Sequence, residues 1–302
     1  MHNIFLNSFV ERTYFKALHC LKSYILFWIV PVVFLLSCSK EKLEATIPAY
    51  LSIEEITIVT DYSKEGTSSN KITDAWVYIN DNLIGIYELP AKIPILKEGN
   101  VNLKIYAGIK ENGIADARIQ YLLYAPYDAQ VNLVKNKVLS INPELKYTST
   151  AQFSWLEDFE GASLSFTHTS GSDTVINKTT LEVFEGNSSG QVYLTPEMSF
   201  FEIQSPDNSN IPRNGTPVFL EVNFKTNEPV LVGIYADADQ FGEVYLNKST
   251  NWNKIYINLT EVINSRPYAL KYNVFFGISN AGTAFSVDYP EFYLDNIKLV
   301  HF

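Results

Sequence analysis

The sequence predicts an all-β protein, two β-sandwich domains behind an N-terminal signal helix. Three observations predict it. Beyond residue 50, short runs of Val, Ile, Tyr, Phe and Thr alternate with polar residues at a period of two, and turn clusters separate them. Little of that region carries apolar residues at helical spacing, and no repeat of solenoid length is visible. Before residue 40 lies an apolar run of a different kind, bounded by basic residues on one side and a charged stretch on the other.

That first run, from Tyr24 to Leu36, is apolar apart from the Tyr24 hydroxyl and is about thirteen residues long. A bilayer-spanning helix needs about 20 residues. With Arg12, Lys16 and Lys22 ahead of it, the run reads as the core of a secretory signal. It ends Leu35-Leu36-Ser37-Cys38, which resembles the lipobox of bacterial lipoproteins. The resemblance implies that residues 1–37 are a signal peptide and that Cys38 is lipidated and becomes the N-terminus. A buried cysteine in an ordinary anchor helix is the alternative. Palmitate-type acyl chains on one cysteine would hold the protein to a membrane, each buried methylene contributing about 0.8 kcal/mol. Ser39, where inner-membrane lipoproteins of this kind carry Asp, implies the outer membrane, on its periplasmic or surface face. Residues 38–48, charged and containing Pro48, read as a tether.

Removal of residues 1–37 takes away three basic and one acidic side chain, so a net charge of −10 becomes −12. An acidic surface disfavours nucleic acid as a partner. Cys20 leaves with the signal and Cys38 is committed to lipid, so no disulfide framework is expected and core burial must supply stability. Only His168 and His301 remain, far apart in sequence. With no H-E-x-x-H, G-x-S-x-G or Walker loop, no catalytic constellation stands out, and the protein reads as a non-enzyme.

Residues 49–148 form the first unit. "SIEEITIVTDY" reads as a strand, and "ITDAWVYINDNLIGIYEL" as a hairpin turning at Asn80-Asp81-Asn82, residues that tolerate positive φ. Pro90 and Pro94 belong on an edge or a connection, and Gly99-Asn100 turns the chain into another strand. "VNLVKNKVLSINPELKY" closes the unit. The segment "VYINDNLIG…LP…IPILKEGNVNLKIYAG" resembles PEGA-type small β-sandwich domains of surface proteins, similar to immunoglobulin or transthyretin folds, which implies a spacer. "TSTAQFSW" reads as the linker.

Residues 151–302 form the second unit. It opens with Phe159-Glu160-Gly161, carries the strand Trp252-Asn253-Lys254-Ile255-Tyr256-Ile257, and closes on Leu294-Asp295-Asn296-Ile297. In this order these segments resemble the jelly-roll sandwiches of the galactose-binding-like group, which include many carbohydrate-binding modules. A jelly roll of that kind pairs its first and last strands, and Trp252, Ile255 and Ile257 are expected on the core face.

Several residue groups are candidates for chemistry. The resemblance implies a structural calcium where the end strands meet, held by Glu160 and Asp295 with Asp158 nearby; solvated carboxylates at strand ends are the plainer alternative. Asp237 and Asp239, with Glu243 following, form an acidic pair that reads either as a solvated loop or as the carboxylates of a glycoside hydrolase. The chain holds nineteen Tyr and nineteen Phe, and aromatic faces stack on sugar rings as readily as they fill cores. Tyr235, Phe241, Tyr245 and Phe275 are the candidate sugar-stacking residues by position. The expected partners are a membrane through the lipid anchor and either a polysaccharide or another envelope protein of a secretion, adhesion or motility complex.

Overall fold

The computed structural model describes residues 47–302, apart from 281 and 283. The signal segment, Cys38 and most of the tether lie outside the described residues.

The first ten strands are β1 (Ala49–Ile53), β2 (Thr57–Ile58), β3 (Asp74–Ile79), β4 (Asn82–Glu88), β5 (Ala91–Ile95), β6 (Gly99–Lys110), β7 (Arg118–Gln120), β8 (Tyr127–Leu133), β9 (Val138–Ser140) and β10 (Glu144–Leu145), with one helical turn, α1 (Tyr62–Glu65), after β2. They build a sheet in the order β4-β3-β6-β7, with β8 also on β6, a sheet β5-β1-β9, and the short pair β10-β2. Alternation decides the inward face. Ala75, Val77 and Ile79 of β3 and Leu103 and Ile105 of β6 meet Leu51, Ile53, Ile93 and Ile95 in one core. Each such side chain contributes about 1.5–3 kcal/mol by burial. The β3–β4 turn is the expected one: Asn80 and Asp81 have φ of 50° and 61°, as a two-residue type I′ turn requires. Pro94 sits on β5, an edge strand.

One expectation fails here. "SIEEITIVTDY" is not one strand. It breaks at the exposed Glu54-Glu55, because β1 pairs with β5 and β9 whereas β2 pairs with β10. Asp61 then caps α1 through the Ser63 N–H at 3.2 Å.

The remaining strands are β11 (Gln152–Glu157), β12 (Thr167–His168), β13 (Asn177–Thr179), β14 (Ser189–Tyr193), β15 (Phe200–Gln204), β16 (Val218–Thr226), β17 (Val230–Ala236), β18 (Asp239–Leu246), β19 (Ser249–Asn258), β20 (Tyr272–Ser279) and β21 (Glu291–His301), with α2 (Thr260–Asn264) after β19. One sheet runs β13-β14-β21-β16-β19, with β11 also on β21, and the other β12-β15-β20-β17-β18. The first and last strands pair antiparallel, Gln152 opposite His301 and Glu157 opposite Ile297, as a jelly roll of this type demands. Val192, Val222, Phe224, Ile257, Phe292 and Leu294 from one sheet pack on Phe201, Ile203, Val232, Ile234, Val274 and Phe276 from the other.

The outer face of the first of these sheets is not free. Phe219, Tyr256 and Val300 belong to the core of the N-terminal strands. Between them lies a buried polar cluster. The Glu221 carboxylate is fully buried and accepts from the Tyr121 and Tyr147 hydroxyls, both at 2.7 Å, with Lys254 Nζ at 3.0 Å. Lys298 donates to the Thr67 carbonyl at 2.6 Å and to the Tyr147 hydroxyl at 3.2 Å. The β6–β7 turn docks on the edge of β19: Asn112 N–H reaches the Tyr256 carbonyl at 2.9 Å, and Asn258 N–H reaches the Asn112 side chain at 2.8 Å. That contact covers an edge strand that would otherwise present unpaired donors. Ile255 and Ile257 take the expected core positions. Trp252 does not, because its offsets from them, three and five positions, are odd and turn it to the other face; it lies against Phe184 and Tyr293 instead, with ring centroids 5.8 and 6.4 Å away.

Candidate functional site

The sheet β12-β15-β20-β17-β18 has one face in the core and one turned outward. Register determines which residues share the outward face. Glu202 of β15 lies opposite Gly277 of β20, Gly277 opposite Leu231 of β17, and Leu231 opposite Tyr245 of β18. Two residues along from Leu231, Gly233 lies opposite Phe275, and two further along Tyr235 lies opposite Gln240. The face is hollowed where Gly277 lacks a side chain. The result is a groove of about 330 Å³, a size suited to a small ligand or one or two sugar units. Phe200 and Tyr245 flank it, Phe275 lies in its floor, and Glu202, Gln240 and Glu228 supply polar atoms.

Those polar atoms are held in place. Glu202 is 3% exposed. One of its oxygens accepts from the Tyr235 hydroxyl at 2.8 Å and the other from the Gln240 amide at 2.6 Å. Burial, and then the Glu202 carboxylate, push the Tyr235 hydroxyl pKa above its ordinary value, so Tyr235 stays a donor. The Tyr235 ring meets Phe275 edge-on at 5.4 Å. At the far end Glu228 accepts from the Ser286 hydroxyl and pairs with Lys248 at 3.3 Å.

The four predicted aromatics therefore divide. Tyr245 lines the groove and is 63% exposed. Tyr235 orients Glu202, and Phe275 lies in the floor, fully buried. Phe241 is a correction. It pairs with Ile234, which points into the core, so it packs inward, with the Arg266 guanidinium 4.0 Å from its ring centroid. Phe200, Glu202 and Gln240 escaped the sequence reading. The available signal was "FFEIQ", in which Phe201 and Ile203 alternate inward and leave Phe200 and Glu202 outward.

The expected calcium corner is built differently. Glu160 accepts from the Asn187 and Ser188 N–H groups at 2.8 and 2.9 Å, which hold its carboxyl below the ordinary range. Asp158 accepts from Glu160 N–H at 3.0 Å and from the Tyr62 hydroxyl at 3.2 Å. Asp295 is fully buried and accepts from the N–H groups of Phe184, Glu185 and Asn296. Burial nevertheless pushes its pKa up to about 7. These oxygens face hydrogen-bond donors, and among the described residues no three His, Cys, Asp or Glu side chains come together as a metal site. These hydrogen bonds fix the loops that meet here, with Phe159 at φ 61° in the tight corner.

The acidic triplet is a hairpin feature. Asp237 sits in the β17–β18 turn at φ 56° and accepts from the Leu270 and Lys271 N–H groups at 2.9 and 3.3 Å. Asp239 opens β18, and Glu243 falls at the bulge opposite Val232 and Gly233. None of the three lines the groove. His168 is exposed on β12, while His301 is buried against the Ser154 hydroxyl at 2.6 Å, so the two histidines form no common site.

No protein-family model matches the chain. No curated protein matches it either. Among solved structures it is similar to a carbohydrate-binding module of the β-sandwich superfamily studied for promiscuous specificity, at 13% identity and a TM-score of 0.38, covering 75% of this chain and 84% of that one. It is similar to a family 29 carbohydrate-binding module complexed with mannohexaose, at 10% identity and a TM-score of 0.33, covering 50% of this chain and 91% of that one. It is also similar to the enzymatically active domain of a tailspike protein of bacteriophage CBA120, at 14% identity and a TM-score of 0.35, covering 48% of this chain but 20% of that one. Similarity this distant carries no assignment of ligand or activity.

Proposed function

We propose that this is a non-catalytic, lipid-anchored protein of the cell envelope whose C-terminal jelly roll binds a glycan in the groove of its five-stranded sheet. The single observation that supports the ligand class best is the groove itself. An exposed Tyr245 ring offers a face for stacking, and a buried Glu202 and its Gln240 partner offer acceptors and donors already fixed before a ligand arrives. Pre-oriented polar groups beside aromatic walls suit a ring with hydroxyls on its rim and C–H groups on its face. Cys38, through the lipobox resemblance, supplies the anchor, and the outer membrane is the location that Ser39 favours. Affinity gel electrophoresis of the full chain in detergent, through a panel of polysaccharides, tests the reading. Retardation by at least one polymer is expected, and mobility unchanged through every polymer would refute it.

A second reading rests on a different surface. Tyr193 and Tyr289 stack with ring planes 11° apart and are 41% and 51% exposed. Trp252 continues an aromatic strip with Phe184 and Tyr293 on that sheet. Exposed aromatics of this kind also suit a protein partner in an envelope complex. Crosslinking followed by recovery of the lipoprotein alone would count against this second reading.

A further inference from the structure

The groove carries a charge asymmetry that bears on which glycans enter it. Its lining side chains include two carboxylates, Glu202 and Glu228, one amide, Gln240, and no Lys or Arg. Glu228 is neutralised from outside the lining by Lys248 at 3.3 Å. Glu202 is not: among the described residues no Lys, Arg or His pairs with it, and its two close partners, Tyr235 and Gln240, are uncharged. A carboxylate has about four acceptor positions. Tyr235 and Gln240 occupy one on each oxygen, so each oxygen keeps acceptor capacity. Gly277, directly opposite, leaves the space in front of it open: a Cβ there would lie 3.6 Å from a Glu202 oxygen.

We propose that Glu202 is the specificity-determining residue of the groove, accepting hydroxyl protons from an uncharged sugar and excluding sugars that carry a carboxylate or sulfate. This rests on the glycan reading above. The physical basis is twofold. An acceptor-only group satisfied by neutral neighbours prefers ligands that arrive as donors, and a vicinal diol presents two O–H groups to two carboxylate oxygens. A ligand anion beside a buried, unpaired carboxylate meets like-charge repulsion in a low-dielectric setting. The net negative charge of the chain acts in the same direction at longer range.

The test uses neutral and acidic polymers in parallel. Full-length protein in detergent is run through gels containing hydroxyethylcellulose, galactomannan or β-galactan, and through gels containing carboxymethylcellulose, alginate or polygalacturonate. The expected result is retardation by at least one neutral polymer, with binding to its acidic counterparts weaker by about tenfold or more. Glu202→Gln keeps the shape and removes the charge, and its amide retains one of the two acceptor oxygens while turning the other into a donor. It should weaken neutral binding and bring the neutral-to-acidic ratio towards one. Acidic polymers retarding the native protein as strongly as neutral ones would overturn the inference while leaving the glycan reading intact. An unchanged ratio in Glu202→Gln would also overturn it. Retardation by no polymer would overturn the glycan reading and this inference together. If Glu202→Gln does not fold by circular dichroism, Gln240→Leu, which removes one fixed partner without adding charge, is the second variant: selectivity retained with weaker neutral binding is expected, and selectivity lost would contradict the role given to Glu202.

Discussion

Asp295 is the residue whose environment has the clearest measurable consequence. Its carboxyl is buried under the Phe184–Glu185 backbone, and burial raises its pKa to about 7 from 3.8. Between those values the folded protein holds a proton there that the unfolded chain has released. Folding stability therefore falls as pH rises from about 4 to about 7, by at most about 1.4 kcal/mol per pH unit from this group. Asp295→Asn keeps an acceptor for those N–H groups and removes the titration. Urea unfolding at pH 4.5 and pH 7 should show a smaller difference in the variant than in the native protein. An equal difference would mean that Asp295 is ionised across the range. Lys298 works in the opposite sense: burial lowers its pKa to about 8, so its contribution to stability rises as pH climbs from about 8 to 10.5.

The strands show where local pattern suffices and where it does not. The β3–β4 hairpin was legible because Asn80 and Asp81 are turn residues between two runs of strand-forming residues. The pairing of β11 with β21 was legible from the family resemblance of the chain ends. The break between β1 and β2 was not, because partner choice is a tertiary decision that Glu54 and Glu55 do not announce. Trp252 and Tyr256 were misread or passed over for a related reason: a sheet buried on both faces loses the alternation that marks a half-buried strand. Of the groove, Tyr245 was legible, whereas Glu202 needed the register that sets it opposite Gly277. Phe241 turns inward because the bulge between Val232 and Gly233 shifts the pairing of β18 by one residue, which position along the chain does not reveal. That bulge has its own requirement. A Cβ on Gly233 would collide with the Phe241 carbonyl and lie 2.8 Å from the Phe275 ring. Gly233→Ala should destabilise by about 1–3 kcal/mol, read as a fall of several degrees in Tm. An unchanged Tm would show that the β17–β18 pair can open at the bulge without cost.

At the scale of the molecule, residues 48–302 form one compact unit, and the N-terminal strands are more than a spacer. Glu221 and Lys298 are at most 1% exposed and find partners in Tyr121, Tyr147 and Thr67 across the junction, while Lys254, 5% exposed, pairs with Glu221 within the sheet. Burial raises the Glu221 pKa, but Lys254, Lys298 and the tyrosine hydroxyls outweigh it and keep the carboxyl below its ordinary value. Such a cluster is costly to half-remove. Glu221→Ala leaves two buried lysines without their anion and should cost about 3–5 kcal/mol. The native protein is expected to unfold in one transition, with circular dichroism and tryptophan fluorescence coincident, since Trp76 reports on the first set of strands and Trp155 and Trp252 on the second. Two separated transitions would mean that the junction couples the sandwiches weakly.

The central claim is that the groove over Gly277 is where a glycan binds, and filling it tests that most directly. A Cβ at Gly277 would meet only ordinary contacts, 3.5 Å from the Phe201 carbonyl and 3.6 Å from Glu202. Gly277→Leu therefore places the rest of its side chain in the cavity with little strain on the fold. Affinity electrophoresis of the native protein and the variant, with Tm compared in parallel, should show a polymer that retards the native protein and releases the variant at nearly equal Tm. Equal retardation of the two would contradict the claim and move the binding surface elsewhere.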